Sequence, residues 1–75
     1  MKVIVFGRLR DCIHAEFIHV KHVDTVRELK EELLQRFPVL KHEVFAIAAD
    51  HVIAGDETVL FEHSEVALLP PFSGG

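Results

Sequence analysis

Short apolar runs separated by polar turns make up most of the chain, and two of these runs have almost no polar alternation. One lies at residues 3–6, before Gly7, and the other at residues 65–69. β-Branched and aromatic residues in such runs predict strands, and strands without alternation are typical of the buried middle of a sheet. We therefore expect these two runs to form neighbouring central strands.

Weaker runs predict the rest of the sheet. After a loop at residues 8–13, a second strand is close enough to the first to form an antiparallel hairpin with it. A turn at Gly55 and Asp56 follows the weakest of the runs. The predicted strands are at residues 15–20, 44–49 and 51–53, with a short extended segment at residues 59–61.

The clearest local signal is the start of a helix at Thr25. Thr25 followed by Glu28 is a capping box, in which the threonine hydroxyl and the glutamate carboxylate each accept a backbone N–H of the first turn. Pro38 ends the helix near Phe37. Apolar residues recur between these points at helical spacing and predict a core-facing stripe: Val26, Leu29, Leu33, Leu34 and Phe37.

This order of elements predicts an α+β fold, with a mixed four- to five-stranded sheet covered by one main helix. The 75 residues form one small domain. Because a chain of this size buries only about 60% of its unfolded surface, it has little room for an enclosed substrate pocket. The length therefore favours a carrier or binding module over an enzyme.

Charge and cysteine content exclude several classes of function. The chain has 8 Lys and Arg against 12 Asp and Glu, a net charge of −4, which opposes nucleic-acid binding and favours a partner with a basic rim. A single cysteine excludes an internal disulfide or an all-cysteine metal site. Residues 3–6 are too short for a signal-peptide core, and no segment approaches membrane-spanning length. We expect a cytoplasmic protein without a membrane partner.

Histidine and cysteine are the remaining candidates for chemistry in the body of the chain. His19 and His22 have an H-x-x-H spacing, but residues three apart on a strand point to opposite faces, so we expect surface histidines and no metal site. Cys12 is either a nucleophile or a small buried hydrophobe. The six histidines are His14, His19, His22, His42, His51 and His63.

The end of the chain is the strongest functional candidate. Residues 70–75 read Pro-Pro-Phe-Ser-Gly-Gly, and Gly at both final positions has a chance of only ~0.5% at ordinary Gly usage. Prolines stiffen the start of this segment, and six extended residues reach about 20 Å. The Gly75 carboxylate is ionised at neutral pH, so it needs activation, typically as an acyl-adenylate, before a nucleophile attacks. The alternative is a frayed terminus that happens to be rich in Gly.

Three segments resemble the small, sulfur-carrier subunits of molybdopterin synthases, a family with the ubiquitin-like β-grasp fold. They are FGRLRD at residues 6–11, TVREL at residues 25–29 and EVALLPPFSGG at residues 65–75. The last segment is the specific one, since Gly-Gly alone is common to ubiquitin-like carriers. The chain departs from the family pattern at the turn of residues 62–65 and at Asp50, where the family often has Asn. The resemblance divides the chain into a β-grasp domain at residues 1–69 and a flexible Gly-Gly tail at residues 70–75.

The resemblance implies a reaction cycle carried out by partners. An E1-like enzyme adenylates the Gly75 carboxylate with ATP and Mg²⁺, so the chain itself binds no permanent cofactor. A persulfide donor protein converts the adenylate to a thiocarboxylate. The tail then enters the large synthase subunit, which holds the catalytic residues, and gives its sulfur to cyclic pyranopterin monophosphate. Two small subunits would flank a dimer of large ones.

The same resemblance assigns roles to individual residues. Gly75 would carry the acyl-adenylate and thiocarboxylate, with Gly74 in the tail beside it. Arg10 falls on a basic position that contacts the partner, and an exposed apolar patch is expected around the base of the tail. The implied partner interface is Phe6, Arg10, Leu68, Pro70, Pro71, Phe72 and Ser73.

Two alternatives stay open on the sequence alone. The first is a related sulfur carrier for thiazole synthesis or a ubiquitin-like protein modifier; Pro70-Pro71 and Ser73 favour the molybdopterin type over it. The second is a non-covalent β-grasp interaction module with an incidental Gly tail, which predicts no ATP-dependent activation.

Overall fold

The computed structural model describes residues 1–70, which form five strands, one long helix and two short helical segments joined by turns and loops. In chain order the elements are β1 (Lys2–Val5), α1 (Leu9–Ile13), β2 (Phe17–His19), α2 (Val26–Arg36), a 3₁₀ helix (Pro38–His42), β3 (Ala46–Ala49), β4 (Val52–Ala54) and β5 (Val66–Leu69).

The strands form one mixed sheet in the order β2-β1-β5-β3-β4. β1 and β5 run parallel, and every other pair of neighbouring strands is antiparallel. The prediction that the first and last strands are neighbours inside the sheet is therefore confirmed. The predicted antiparallel hairpin of the first two strands is confirmed as well.

The predicted loop at residues 8–13 is wrong, because Leu9–Ile13 is a short helix. Leu9 and Ile13, four residues apart, lie on one face of α1 and are both buried in the core. His14 ends the helix in the left-handed conformation at a φ of 64°, and its N–H donates to the Arg10 carbonyl at 2.7 Å. Burial of these two side chains thus stabilises a helix that has too few residues to show a sequence period.

The capping box predicted for α2 is present with one change in its partners. The Thr25 hydroxyl accepts the Glu28 N–H at 3.3 Å, as expected. The Glu28 carboxylate accepts the N–H of Asp24 at 3.2 Å, one residue before the cap. The helix ends at Arg36, and Pro38 begins the 3₁₀ helix.

The core lies between α2 and one face of the sheet. Val26, Leu29 and Leu33 of the helix are completely buried. Alternate residues of the three inner strands point toward them, because successive side chains of a strand face opposite sides. These inward residues are all 1% exposed or less: Val3, Val5, Ile47, Val66 and Leu68.

A pair of ion pairs ties the loop after β4 to the helix. Lys30 Nζ lies 2.7 Å from Asp56 Oδ1, and Arg27 contacts Glu57. The hydrogen bond from Lys30, together with its charge, lowers the pKa of Asp56 below its ordinary value. All four side chains are substantially exposed, so these pairs add little stability.

Candidate functional site

The face of the sheet opposite α2 has one row of side chains that is apolar across all five strands, next to a polar pair, Lys2 and His19, at the β1–β2 edge. Pairing places one residue of each strand in a single row, and no member of that row is polar: Phe17, Ile4, Ala67, Ala48 and Ile53. We call this row, with the neighbouring Phe6 and Leu69, the open face. Phe6, Phe17 and Ile53 are 41–55% exposed. Exposed aromatic and branched side chains in one contiguous patch are typical of a docking surface.

An open groove runs along the open face in the direction of the strands. Its floor and walls are apolar, and His51 and Glu65 stand where β5 begins. The opposite end, where the parallel strands β1 and β5 finish, is formed by Phe6 and Leu69. The groove therefore joins a polar end to the point at which the chain leaves the sheet.

Gly7 and Pro70 pack together at that exit point. Gly7 has a φ of +59°, and a Cβ added to it would lie 2.9 Å from Cγ of Pro70. The Phe6 N–H donates to the Leu68 carbonyl at 3.0 Å, which holds the two chain segments together. Position 7 favours glycine for two reasons: its left-handed φ and the nearby Pro70 ring each disfavour a side chain.

Arg10 stands beside the same exit. Its Nε donates to the Val5 carbonyl at 2.9 Å, and its guanidinium carbon lies 5.9 Å from the centre of the Phe6 ring. The neighbouring Arg8 pairs with Glu43 at 2.9 Å. Arg10 thus keeps most of its donors directed to solvent, next to an exposed aromatic ring on a protein of negative net charge.

Leu68, which the resemblance placed in the partner interface, is a core residue instead. Its side chain is 0% exposed and faces α2, because it is paired in register with the inward residues Val5 and Ile47. Its two neighbours in sequence, Ala67 and Leu69, both face the groove. Phe6, Arg10 and Pro70 meet at the exit. The other predicted interface residues, Pro71, Phe72 and Ser73, and the predicted reacting tail, Gly74 and Gly75, lie outside the described part of the chain.

The histidines are surface residues, as predicted, since all six are exposed. Within residues 1–70, no three His, Cys, Asp or Glu side chains are close enough to share a metal ion. Cys12 is half-buried on α1. No helix among residues 1–70 has the length and apolar character needed to cross a membrane.

Most of the open face was missed by the sequence reasoning. Ile4, Ala48, Ile53 and Ala67 drew no functional prediction, although the absence of polar alternation in the first and last strands was the relevant signal. Such a strand is normally covered on both faces. The described chain has one long helix and covers only one face, so the second set of apolar residues is left exposed.

The sheet order and single main helix define a ubiquitin-like β-grasp fold, which is also the fold of its structural neighbours. Small archaeal modifier protein 1 of Haloferax volcanii superposes with a TM-score of 0.82 at 19% identity, with 95% of each chain covered. A chain in the complex of subunits 1 and 2 of molybdopterin-converting factor from Helicobacter pylori has a TM-score of 0.70 at 32% identity. That match covers 99% of this chain and 96% of the other.

The sequence itself identifies the family. The ThiS family model matches residues 3–75, so the chain belongs to the ThiS family. A relative from Caenorhabditis elegans, named molybdopterin synthase sulfur carrier subunit, is 30% identical over 81 residues; the match covers 100% of this chain and 96% of the relative. The resemblance noted in the sequence is therefore confirmed.

Proposed function

We propose that this chain is the sulfur-carrier subunit of a molybdopterin synthase. The observation that carries the proposal is the continuity of the open face with the chain exit at Pro70. A partner seated on the open face would receive whatever follows Pro70. The Caenorhabditis elegans and Helicobacter pylori relatives support the same assignment.

The chemistry we propose is confined to the terminal carboxylate. Adenylation by an E1-like partner, using ATP and Mg²⁺, would convert the Gly75 carboxylate into a mixed anhydride whose carbonyl carbon is open to attack. The terminal sulfur of a persulfide donor would attack that carbon and displace AMP, giving an acyl disulfide. A second thiol of the partner would then cleave the S–S bond, leaving the thiocarboxylate on Gly75 and a disulfide on the partner. Glycine suits this position because it places no side chain beside the reacting carbonyl. The chain supplies the acyl group, while the residues that catalyse each step would belong to its partners.

The docking partner we propose is the large subunit of the synthase. Five residues follow Pro70, and fully extended they span at most about 18 Å. The large subunit must therefore place its active site within that distance of Pro70, which brings its surface over the open face. A pair of such complexes would form the expected heterotetramer in the cytoplasm.

The decisive experiment compares the full chain with a variant lacking Gly75 in a reconstituted synthase. Deletion should abolish sulfur transfer to the pterin substrate, because the next carboxylate is one residue short of the active site. The thermal midpoint should stay unchanged, since the last strand of the sheet ends at Leu69, six residues earlier in the sequence. Full activity of the deletion variant would refute the proposal. Intact-mass analysis of protein from its own host should show replacement of one oxygen by sulfur, a gain of about 16 Da.

A second candidate is a protein modifier that is joined to lysine side chains. The likeness to small archaeal modifier protein 1 supports it through the fold alone. Both roles begin with adenylation of Gly75, so they differ only in the final nucleophile. Conjugates that survive a thiol reductant and contain this chain would favour the modifier role.

A further inference from the structure

A histidine occupies a backbone position that favours glycine, at the polar end of the groove. Asp50 and His51 form the two-residue turn between β3 and β4, with φ values of 49° and 69°. A two-residue hairpin with positive φ at both positions is a type I′ turn, which prefers Asn-Gly or Asp-Gly. A Cβ at His51 therefore costs backbone free energy that glycine would avoid.

The His51 side chain lies at the end of the groove beside Glu65, and both side chains are exposed. His51 Nε2 lies 2.9 Å from Glu65 Oε2. The backbone of Glu65 is tied in turn to Asp50, because its N–H donates to Asp50 Oδ1 at 2.9 Å and its carbonyl accepts the Asp50 N–H at 2.8 Å. The imidazole and the carboxylate both line the groove. A residue with an unfavourable backbone conformation at a candidate site points to a role in that site.

We propose that His51 is a partner-contact residue, oriented by Glu65, that closes the far end of the groove against the large synthase subunit. This inference rests on the proposed function. From Leu69 at the exit to Glu65 is four residues, about 13 Å along the strand. A standard interface of about 800 Å² per partner has a radius of roughly 16 Å. A partner centred on the groove therefore reaches His51 as well as the exit.

His14 is a matched control within the same chain. It is also an exposed histidine in the left-handed conformation, at a φ of 64°, where a helix C-terminus usually has glycine. It ends α1 and is not one of the residues that line the groove. Glycine at either histidine should relieve the same backbone cost, so only the difference in position separates the two variants.

The test measures thermal midpoint and affinity for the purified large subunit in wild type, His51→Gly and His14→Gly. Both variants should melt a few degrees higher than wild type, roughly 3–5 °C for a domain of this size. His51→Gly should bind the large subunit about three- to tenfold more weakly, the effect of losing about one hydrogen bond. His14→Gly should bind like wild type. Gain of stability with loss of affinity is a combination that a purely structural histidine would not give.

Three outcomes would overturn the inference: wild-type affinity for His51→Gly, an equal loss of affinity in both variants, or a lower thermal midpoint for His51→Gly. Failure of the wild-type chain itself to bind the large subunit would instead refute the proposed function. The two failures are therefore distinguishable in one experiment, and neither requires the tail to carry sulfur.

Discussion

Leu68 and Leu69 adjoin in sequence, yet alanine at each position should have a different effect. Leu68 is 0% exposed in the core, whereas Leu69 is half-buried at the groove. Truncation of a buried leucine costs about 2–5 kcal/mol, because burial is lost and a cavity remains. At about 0.05–0.15 kcal/mol per residue, a chain of this length has a free energy of unfolding of only roughly 4–11 kcal/mol. Leu68→Ala should therefore lower the thermal midpoint by at least about 8 °C.

Leu69→Ala should leave the fold nearly intact and weaken docking. Its side chain contacts the outer face of the sheet, so we expect a loss of less than about 1 kcal/mol of stability. If the large subunit covers it, truncation removes about 1–2 kcal/mol of buried apolar contact from the complex. That loss corresponds to a roughly 5- to 30-fold increase in Kd.

Circular dichroism melts and calorimetric titration of the large subunit measure the two effects separately. The titration should be run at a temperature at which both variants are folded, so that unfolding of Leu68→Ala does not reduce the active fraction. Under those conditions Leu68→Ala should bind close to wild type. A Leu69→Ala variant that binds like wild type, or that loses as much stability as Leu68→Ala, would show that the assignment of the two faces is wrong.

Two further substitutions test the chain exit and the Lys30–Asp56 ion pair between α2 and the loop after β4. Gly7→Ala introduces a Cβ 2.9 Å from the Pro70 ring at a positive φ, so it should lower the free energy of unfolding by about 1–2 kcal/mol and weaken sulfur transfer. Gly55→Ala is the control: a Cβ there meets open space, so this variant should match wild type in both thermal melts and sulfur transfer. The pKa of Asp56 is lowered by Lys30, so Lys30→Met should raise the NMR titration midpoint of Asp56. Because the pKa is depressed in the folded state, wild type should be more stable than Lys30→Met above about pH 4. That difference in stability should vanish as the pH falls through the folded-state pKa.

The parts of the fold that were predictable from sequence are those specified by neighbouring residues. Thr25 and Glu28 lie three positions apart, and the helical stripe that follows repeats over eleven residues, so local spacing was sufficient. The pairing of the first and last strands was predictable for a different reason, since two runs without polar alternation both need a buried place in the sheet. The helix Leu9–Ile13 was not predictable, because five residues contain little more than one turn.

The candidate site was only partly predictable, because strand register decides which residues share it. Leu68 and Leu69 are identical as residues, and a shift of one position would exchange their faces. Only the pairing of β5 with both of its neighbours fixes Leu68 in the core. The contact of Gly7 with Pro70 spans 63 positions of sequence and depends on the same pairing. Sequence patterns therefore predict chemistry at the terminus, but they do not specify which residues form the sheet surface beside the chain exit.

An uncovered apolar face is itself an argument for a partner. Within residues 1–70, one long helix shields only one side of the five-stranded sheet, and Phe6, Phe17 and Ile53 are exposed. Polar residues at these positions would leave the core unchanged and would improve solubility. Apolar residues there are useful only if another surface covers them. Because the groove ends where the chain leaves the sheet, a partner that covers the groove would also be held at the start of the tail, which would couple docking to the proposed delivery of the terminal group.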